Sequence, residues 1–555
     1  MSTDSATNTP AGLYERFAAT ARRHPDATAL EVGGESYTYR RLQALAGRLA
    51  RLLLDAHGGT APRTVGLLAS RTLTAYAGYL AVQRLGAVVV PLNPAFPVAR
   101  TADIAARARL DVVLAQPDQA AAALPVPVVT PLTADAPDTA ATRPAPPARP
   151  VSPDDVCYIL FTSGSTGAPK GVPVRHRSVG AYLDHVVPRY GLGVGSRLSQ
   201  TFDLTFDLSV FDLFGAWASG GTVVVPGPHD LLAPARFVAR ENITHWFSVP
   251  SVVSLAARLR QLRPNSMPTL RWSLFCGEPL TRAQAVAWQA AAPAATTENL
   301  YGPTELTLSC AQFRLEGAHA PARSGATVPI GTLYPGLEHL VLDQDGRPAA
   351  EGELCVRGVQ RFPGYLDPED NRGRFVRYAH GKATVVTDTA PPEPALYYRT
   401  GDRVRVTEAG LVHLGRLDQQ VKIQGYRVEL GEIEAALRDA PGVRDAVVLA
   451  VPDPGGQTAL AAACTGDGVD SSRVLGALRS RLPAYMVPAS LTVLDTLPLN
   501  ANGKTDRTAL RRVLQAPGTT DGAPRAGTRD DGRKQPVPWP AAASSPGIRP
   551  EGDRR

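Results

Sequence analysis

Sulfur is scarce in this chain: its 555 residues include 5 cysteines and 3 methionines. The cysteines, Cys157, Cys276, Cys310, Cys355 and Cys464, form no CxxC pair and no cluster with histidine. That spacing excludes a zinc ribbon and a disulfide-stapled scaffold. Four of them stand in apolar or strand-like runs, as buried free thiols in a reducing compartment do. Unbroken apolar runs are also missing. The longest candidate, "TVGLLASRTLTAYAGYLAVQRLGAVVV", is interrupted by Arg71 and Arg84, which argues against a membrane span. The opening "MSTDSATNTP" lacks the apolar core of a secretion signal, so a cytoplasmic protein with no membrane partner is expected. There is no dense Lys/Arg block either. The net charge of +7 is spread along the chain and partly sits in the C-terminal tail, so no nucleic-acid partner is expected.

What is present is ordinary globular composition, 44% hydrophobic and 20% charged, in a chain too long for one typical domain. Strand-like and helical patterns alternate. "TVGLLA" (Thr64–Ala69), a helical stretch to Leu85, "AVVVPL", a helix near Val98–Ala108 and "DVVLA" (Asp111–Ala115) predict parallel α/β layers. Thr133–Asp155 is Pro/Ala-rich and reads as an exposed loop. A second α/β stretch follows, with a strand in "LRWSLFCG", a helix over Arg282–Ala291 and a strand in "TTENLYG". From about Glu338 short strands and turns take over. After Asp418, "VKIQGYRVEL" alternates around Gln424-Gly425 as a hairpin does, and "GEIEAALRDA" is helical. The expected class is therefore α/β. A large N-terminal domain of layered α/β subdomains plus a β-rich subdomain (10–417) precedes a small mobile α+β domain (418–515) and a disordered tail (516–555).

Between two of the strand-like runs stands "LFTSGSTGAPKGVPV" (Leu160–Val174). Its composition suits a flexible spacer, but its apolar flanks put it between buried strands. Glycines there let backbone N–H groups converge on an anion, with Thr162, Ser163, Ser165 and Thr166 adding hydroxyls and Lys170 a positive charge. It is not the GxxxxGK[ST] loop, because Pro169 precedes Lys170 and Gly171 follows it. It is not a GxSxG elbow, because Ser163 and Gly167 flank Ser165.

Five motifs then occur in one order: "TSGSTGAPKG", "NLYGPTE" (Asn299–Glu305), "YRTGD" (Tyr398–Asp402), "GRLDQQVKIQGYRVELGEIE" (Gly415–Glu434) and "NGKTDR" (Asn502–Arg507). Together they resemble the adenylate-forming enzymes: acyl-CoA synthetases, luciferase and the adenylation domains of nonribosomal peptide synthetases. The resemblance runs from about Leu13 to Leu514 and implies activation of a carboxylate by ATP with Mg²⁺. It implies that Thr162, Ser163, Gly164, Ser165, Thr166, Gly167 and Lys170 wrap the β- and γ-phosphates. Asn299, Tyr301 and Gly302 would border the nucleotide, with Tyr301 stacked on adenine. Thr304 would meet the α-phosphate and Glu305 would hold Mg²⁺. Asp402 would accept the ribose hydroxyls, and Arg416 would lie on the ribose and phosphate side. Asp418 would be the interdomain hinge and Lys504 the mobile catalytic lysine. Asn500-Ala501 replace the family's usual Thr-Pro before that lysine. Taken singly, the Gly-Pro and Thr-Gly-Asp turns and a lysine near the chain end are ordinary surface features. Their order carries the assignment.

"FDLSVFDLF" (Phe206–Phe214) resembles the segment opening the pocket of amino-acid-activating members, where Asp207 would bind the substrate α-ammonium. An unpaired carboxylate in an apolar pocket is costly without such a partner. By motif the other walls would be Leu208, Phe211, Ser248, Leu274, Cys276, Leu300, Leu308 and Ser309, none of them charged. That excludes Lys, Arg, Asp and Glu as substrates and favours a small or apolar amino acid, L-proline ahead of alanine. "LFCGE" with "FDLSV" resembles D-alanine carrier-protein ligases, and "DLTFDLSVFDLF" with "WFSVPS" resembles stand-alone L-proline ligases. No condensation HHxxxDG and no carrier segment occurs, so the expected acceptor is the phosphopantetheine thiol of a carrier protein in trans. An acyl-CoA ligase is the alternative enzyme, discriminated by Asp207. A degenerate nucleotide-binding scaffold is the other, discriminated by retention of Lys170, Glu305, Asp402 and Lys504.

Overall fold

A computed structural model of the chain describes residues 12–119, 124–131, 144–164, 168–315, 327–453, 458–498 and 505–515. Within them the first α/β layer is a six-stranded sheet in the order 128–129, 112–115, 64–68, 88–92, 156–162, 170–175. The first five strands pair in parallel, and the last turns back antiparallel. The expected strands begin or end within a residue or two of Thr64–Leu68, Val88–Leu92 and Val112–Ala115. They are all but fully buried, as strands covered on both faces are. The helix predicted near Val98–Ala108 is Val98–Arg107.

The second layer is a nine-stranded sheet with Arg197–Ser199, His245–Ser248, Trp272–Phe275 and Thr296–Tyr301 side by side. Its helix Arg282–Ala291 starts where the sequence puts it, for a local reason. Thr281 Oγ1 accepts from the Gln284 N–H at 3.2 Å, and Gln284 Oε1 accepts from the Thr281 N–H at 2.8 Å. That reciprocal cap stabilises a helix start by about 1 kcal/mol. One continuous core joins both layers, centred on Tyr76, Tyr158, Phe214 and Trp217. The β-rich part is a third sheet of six strands built on Tyr397–Thr407.

The small C-terminal unit has a hairpin, Gln420–Ile423 with Tyr426–Glu429, then the helix Leu430–Arg438 and a three-stranded sheet. It keeps its own core around Val428, Ile433, Leu437 and Met486. Gln424 (φ 51°) and Gly425 (φ 85°) form the turn, both left-handed as a two-residue hairpin requires. All five cysteines are buried and unpaired. Among the described residues no helix is long and apolar enough to cross a membrane.

The described part of the Pro/Ala-rich stretch Thr133–Asp155, from Pro144 on, is the exposed loop expected, with Pro146 as its one buried residue. Pro144 O accepts from Arg51, Pro146 O accepts from Arg84 Nε at 2.8 Å, and Pro146 is buried. The Arg149 N–H in turn donates to Arg84 O at 3.0 Å. Residues 133–143 of that stretch, and the tail from 516, lie outside the described residues.

Candidate functional site

The glycine-rich loop joins two antiparallel strands, Val156–Thr162 and Lys170–Arg175, with Thr162 opposite Lys170. A Cβ on Gly164 would stand 2.0 Å from Ala168 O, so the tight return requires glycine there. Lys170 is buried, 3.0 Å from Asp370 and 5.6 Å above the Tyr365 ring. Ser165, Thr166, Gly167 and Lys504 lie outside the described residues.

Beside the loop lies the segment expected to meet the nucleotide. Asn299 and Tyr301 end the buried strand Thr296–Tyr301, and Asn299 Nδ2 donates to Pro329 O at 2.8 Å. Gly302 is forced small, since a Cβ there would meet Ser309 Cα at 2.6 Å. A single 3₁₀ turn, Thr304–Leu306, presents Thr304 and Glu305. It is followed by two non-glycine residues in the left-handed region, Thr307 (φ 60°) and Leu308 (φ 62°). Such strain persists only where surroundings over-determine it. Here Gln360 supplies them, its Nε2 donating to Leu306 O, Thr307 O and Ser309 O while Thr307 Oγ1 donates to Gln360 O at 2.7 Å.

Asp402, on the strand Tyr397–Thr407, pairs in register with Arg416 on Gly410–Arg416. Tyr301 OH donates to its Oδ2 at 2.6 Å, Arg416 Nη1 to its Oδ1 at 3.0 Å, and His413 Nε2 lies 3.2 Å from the same oxygen. Burial opposes ionisation, but these donors and the Arg416 charge win and hold the carboxyl far below its usual range. Arg416 also grips Asp418, 2.9 Å from Nε to Oδ1. The predicted hinge residue thus sits one contact from the predicted ribose acceptor.

Asp207 is different. It sits in a turn before the helical segment Phe211–Gly215 and is 7% exposed, more deeply buried than its sequence context implies. Its Oδ2 has no hydrogen-bond partner. Burial pushes its pKa up to about 6. Lys422, the Thr304 hydroxyl and the Leu308 N–H oppose that shift without cancelling it. Asp207, Leu208, Cys276, Gly302 and Thr304 line one cavity, together with Thr162 and Ser163 of the loop and Lys422 and Arg427 of the hairpin. Of the other expected walls, Phe211, Ser248, Leu274, Leu300, Leu308 and Ser309 are all buried behind that lining. Ser248 is engaged by Trp246 Nε1 at 2.9 Å, and Ser309 by Tyr334 OH at 2.7 Å. Their hydroxyls are already spoken for and leave a weakly polar surround.

Four further residues, Arg427, Glu429, Glu432 and Glu278, come to the site from stretches already quoted, without the sequence singling them out. Glu305 is 1% exposed. It accepts from Tyr365 OH at 2.6 Å and from Arg427 Nη1 at 2.9 Å, and the Arg427 charge keeps it ionised despite burial. Ser163 Oγ donates to Arg427 O at 2.6 Å and accepts from the Glu429 N–H at 3.0 Å. Glu432 accepts from the Gly164 N–H at 3.3 Å and from Arg100 Nη1 at 2.6 Å. Glu278 accepts from the Gly425 N–H at 2.8 Å. Arg427 stands in the alternating stretch read as a hairpin, and Glu432 in the helix that follows it. Among the described residues no group of three or more His, Cys, Asp and Glu could hold a metal by itself. Mg²⁺ asks for less, one or two carboxylates beside substrate phosphates. Glu305 next to the Thr304 hydroxyl and the glycine loop suits that demand.

A glycine-rich segment between antiparallel strands, a carboxylate held ionised by Tyr301, His413 and Arg416, and a buried carboxylate paired with Arg427 are features a nucleotide-dependent, carboxylate-activating enzyme would have. The chain belongs to the AMP-binding enzyme family: the pattern of the AMP-binding enzymes matches residues 17–366, and that of their C-terminal domain matches residues 432–504. It is 39% identical over 508 residues to the probable non-canonical nonribosomal peptide synthetase CymA of Salinispora arenicola, with 89% of this chain aligned to 6% of that one. It is 33% identical to the L-proline--[L-prolyl-carrier protein] ligase of Pseudomonas fluorescens, over 91% of this chain and 99% of that one. Among solved structures it resembles the Vibrio cholerae adenylation domain AlmE in complex with glycyl-adenosine-5'-phosphate. That match has a TM-score of 0.76 and 27% identity over 93% of this chain and 100% of that one.

Proposed function

We propose that this protein activates a small or apolar amino acid with ATP and Mg²⁺ as an aminoacyl-AMP and passes it to the phosphopantetheine thiol of a carrier protein acting in trans. One observation carries the amino-acid part: a buried aspartate with one oxygen lacking a hydrogen-bond partner is the one acidic side chain lining a cavity whose charged walls are otherwise Arg100, Lys422 and Arg427. A carboxylate so placed is costly until a cation meets it, and the α-ammonium of an amino acid is such a cation. The prolyl ligase relative and the glycyl adenylate held by AlmE favour small substrates. Proline remains ahead of alanine.

In this reading Asp207 orients the amino acid so that its carboxylate faces the α-phosphate. Asp402, pre-set by Tyr301, His413 and Arg416, takes the ribose hydroxyls, and Tyr301 offers its ring to adenine. The loop Thr162–Gly167 with Lys170 cradles the β- and γ-phosphates, and Thr304 meets the α-phosphate. Glu305 would hold Mg²⁺, which would supply positive charge against the phosphates. Lys504 bridges the carboxylate and α-phosphate as negative charge gathers there. The small domain, 418–515, then turns about Asp418 relative to 10–417, so that the hairpin rather than Lys504 faces the adenylate. An ATP-rich, reducing cytoplasm suits both the substrate and the unpaired thiols.

The test is amino-acid-dependent exchange of pyrophosphate into ATP, run over the twenty amino acids and D-alanine. Exchange supported only by fatty or aryl acids would remove the amino-acid reading. Transfer from supplied adenylate to coenzyme A but to no carrier would replace it with an acyl-CoA ligase. Lys504→Ala should slow adenylation by about 10²–10³ while barely affecting transfer. Equal loss in both steps would sink the division of labour.

A further inference from the structure

Two of the expected pocket walls, Leu274 and Leu300, share a face of the second sheet with a buried carboxylate. Leu274 lies beside Glu298 where Trp272–Phe275 pairs in parallel with Thr296–Tyr301. Leu300 stands two residues on from Glu298, and side chains two apart on a strand point to one face. Glu298 is fully buried. It accepts from Arg189 Nη2 at 2.6 Å and Nε at 3.2 Å, from Arg314 Nε at 2.9 Å and from Tyr190 OH at 3.0 Å. Arg314 also lies 5.0 Å above the Trp272 ring, whose centroid is 5.0 Å from that of Tyr190. Tyr190, itself fully buried, is thus closed in by Glu298, Arg314 and Trp272. His245 Nε2 donates to its carbonyl at 3.0 Å. The ring so held stands at 83° to that of Phe211, centroids 5.8 Å apart. Phe211 packs in turn on Phe247, at 5.2 Å and 82°. Its N–H donates to Leu208 O at 3.2 Å, and Leu208 lines the cavity beside Asp207.

A carboxylate at this depth does little for stability, since a buried ion pair gains little over apolar packing. What it supplies is position. A phenol bonded to a fixed acceptor cannot slide, whereas an apolar side chain in the same hole can repack. We infer that Tyr190 and Glu298 are positioning residues that hold Phe211, and with it Leu208, against the cavity, and so limit the length of the substrate side chain. Both stand behind the cavity lining rather than on it. The class they select is an amino acid whose side chain has few atoms. A longer one needs Phe211 to retreat into space that Tyr190 fills. The inference rests on the proposed function for the identity of the substrate. The limit on length rests on the packing alone.

The experiment uses the full chain and pyrophosphate exchange with L-alanine and L-leucine, read as the ratio of kcat/KM for leucine over alanine. Tyr190→Leu removes the ring and should raise that ratio about ten-fold, the low end of what one methylene is worth in an apolar pocket. Tyr190→Phe keeps the ring but frees it from Glu298, and should raise the ratio roughly three-fold. Glu298→Gln should move it in the same direction. A purely structural role would lower exchange with both amino acids alike and leave the ratio where it was. The inference is overturned if the wild type prefers leucine, or if the ratio in Tyr190→Leu stays within about two-fold of wild type. Should Tyr190→Leu fail to fold, Tyr190→Phe decides, because it keeps the packing, and an unmoved ratio there overturns the inference. A wild type that activates only fatty acids would overturn the proposed function. The ratio of octanoate over butyrate in the same variants then decides the inference.

Discussion

Asp207 and Asp402 are both buried aspartates at one site, 7% and 6% exposed, and their surroundings push them in opposite directions. Asp402 is met by a tyrosine, a histidine and an arginine, and stays ionised at any ordinary pH. Asp207 keeps an unpartnered oxygen and a pKa pushed up to about 6. One carboxylate is stabilised by the protein before any ligand arrives. The other is left for the ligand to stabilise. A ribose is neutral and brings no charge of its own, so its acceptor must be ionised and oriented in advance. An amino acid brings its own cation, so its acceptor can be held in a costly state that only the right substrate relieves.

The largest expected effect tests the costly partner. Asp207→Ala should lower kcat/KM for the preferred amino acid by roughly 10²–10³, since the ammonium loses a buried counter-charge worth about 3–5 kcal/mol. A fall of less than two-fold in pyrophosphate exchange would take Asp207 out of the pocket. Next come stabilities of opposite sign. Asp402 has a folded-state pKa depressed below 3.8, so its ionisation stabilises the fold above that value and ceases to do so as pH falls through the folded value. Asp402→Asn should therefore cost about 3 kcal/mol at pH 8 in urea unfolding. Asp207 has a raised pKa, so it costs stability above about 6 and costs none below 3.8. Asp207→Asn should gain about 2 kcal/mol at pH 8 and less at pH 5. Shifts of the same sign in both variants would end the contrast. Smaller is a pH effect: 1/KM for the amino acid should fall up to about ten-fold per pH unit as pH drops below about 6, while the Asp207→Asn profile stays flat. The smallest is Tyr301→Phe. It removes one donor of three from Asp402 and should cost about 1 kcal/mol, roughly five-fold in KM for ATP. A loss as large as that of Asp402→Asn would make the tyrosine the dominant support.

Much of this was legible because it is local. The strands 64–68, 88–92 and 112–115 announce themselves by short apolar runs rich in valine and leucine, and the helix from Arg282 by a Thr-x-x-Gln cap. Asp207, Asp402 and Glu305 were named from the motifs that this sequence shares with the family it resembles. What could not be read is long-range. Nothing near Arg427 says that it will reach Glu305, 122 residues away, and nothing near Arg100 foretells Glu432, 332 residues on. Such pairs follow from how two separately cored units meet. The contacts of Pro144 and Pro146 are of the same kind, because their partners Arg51 and Arg84 sit on helices far upstream.

The five buried thiols carry a practical consequence. Burial pushes Cys276 up to about 12 and the other four above their usual value too. A thiol reagent therefore finds no reactive nucleophile in the intact fold, and modification must wait for a local opening. Cys464 lies in the small unit's core, whereas Cys157 and Cys276 lie in the large one's. Modification timed cysteine by cysteine becomes a clock for each unit separately. It tells whether the small one unlocks alone, how often, and whether a bound nucleotide changes its pace while the other stays shut.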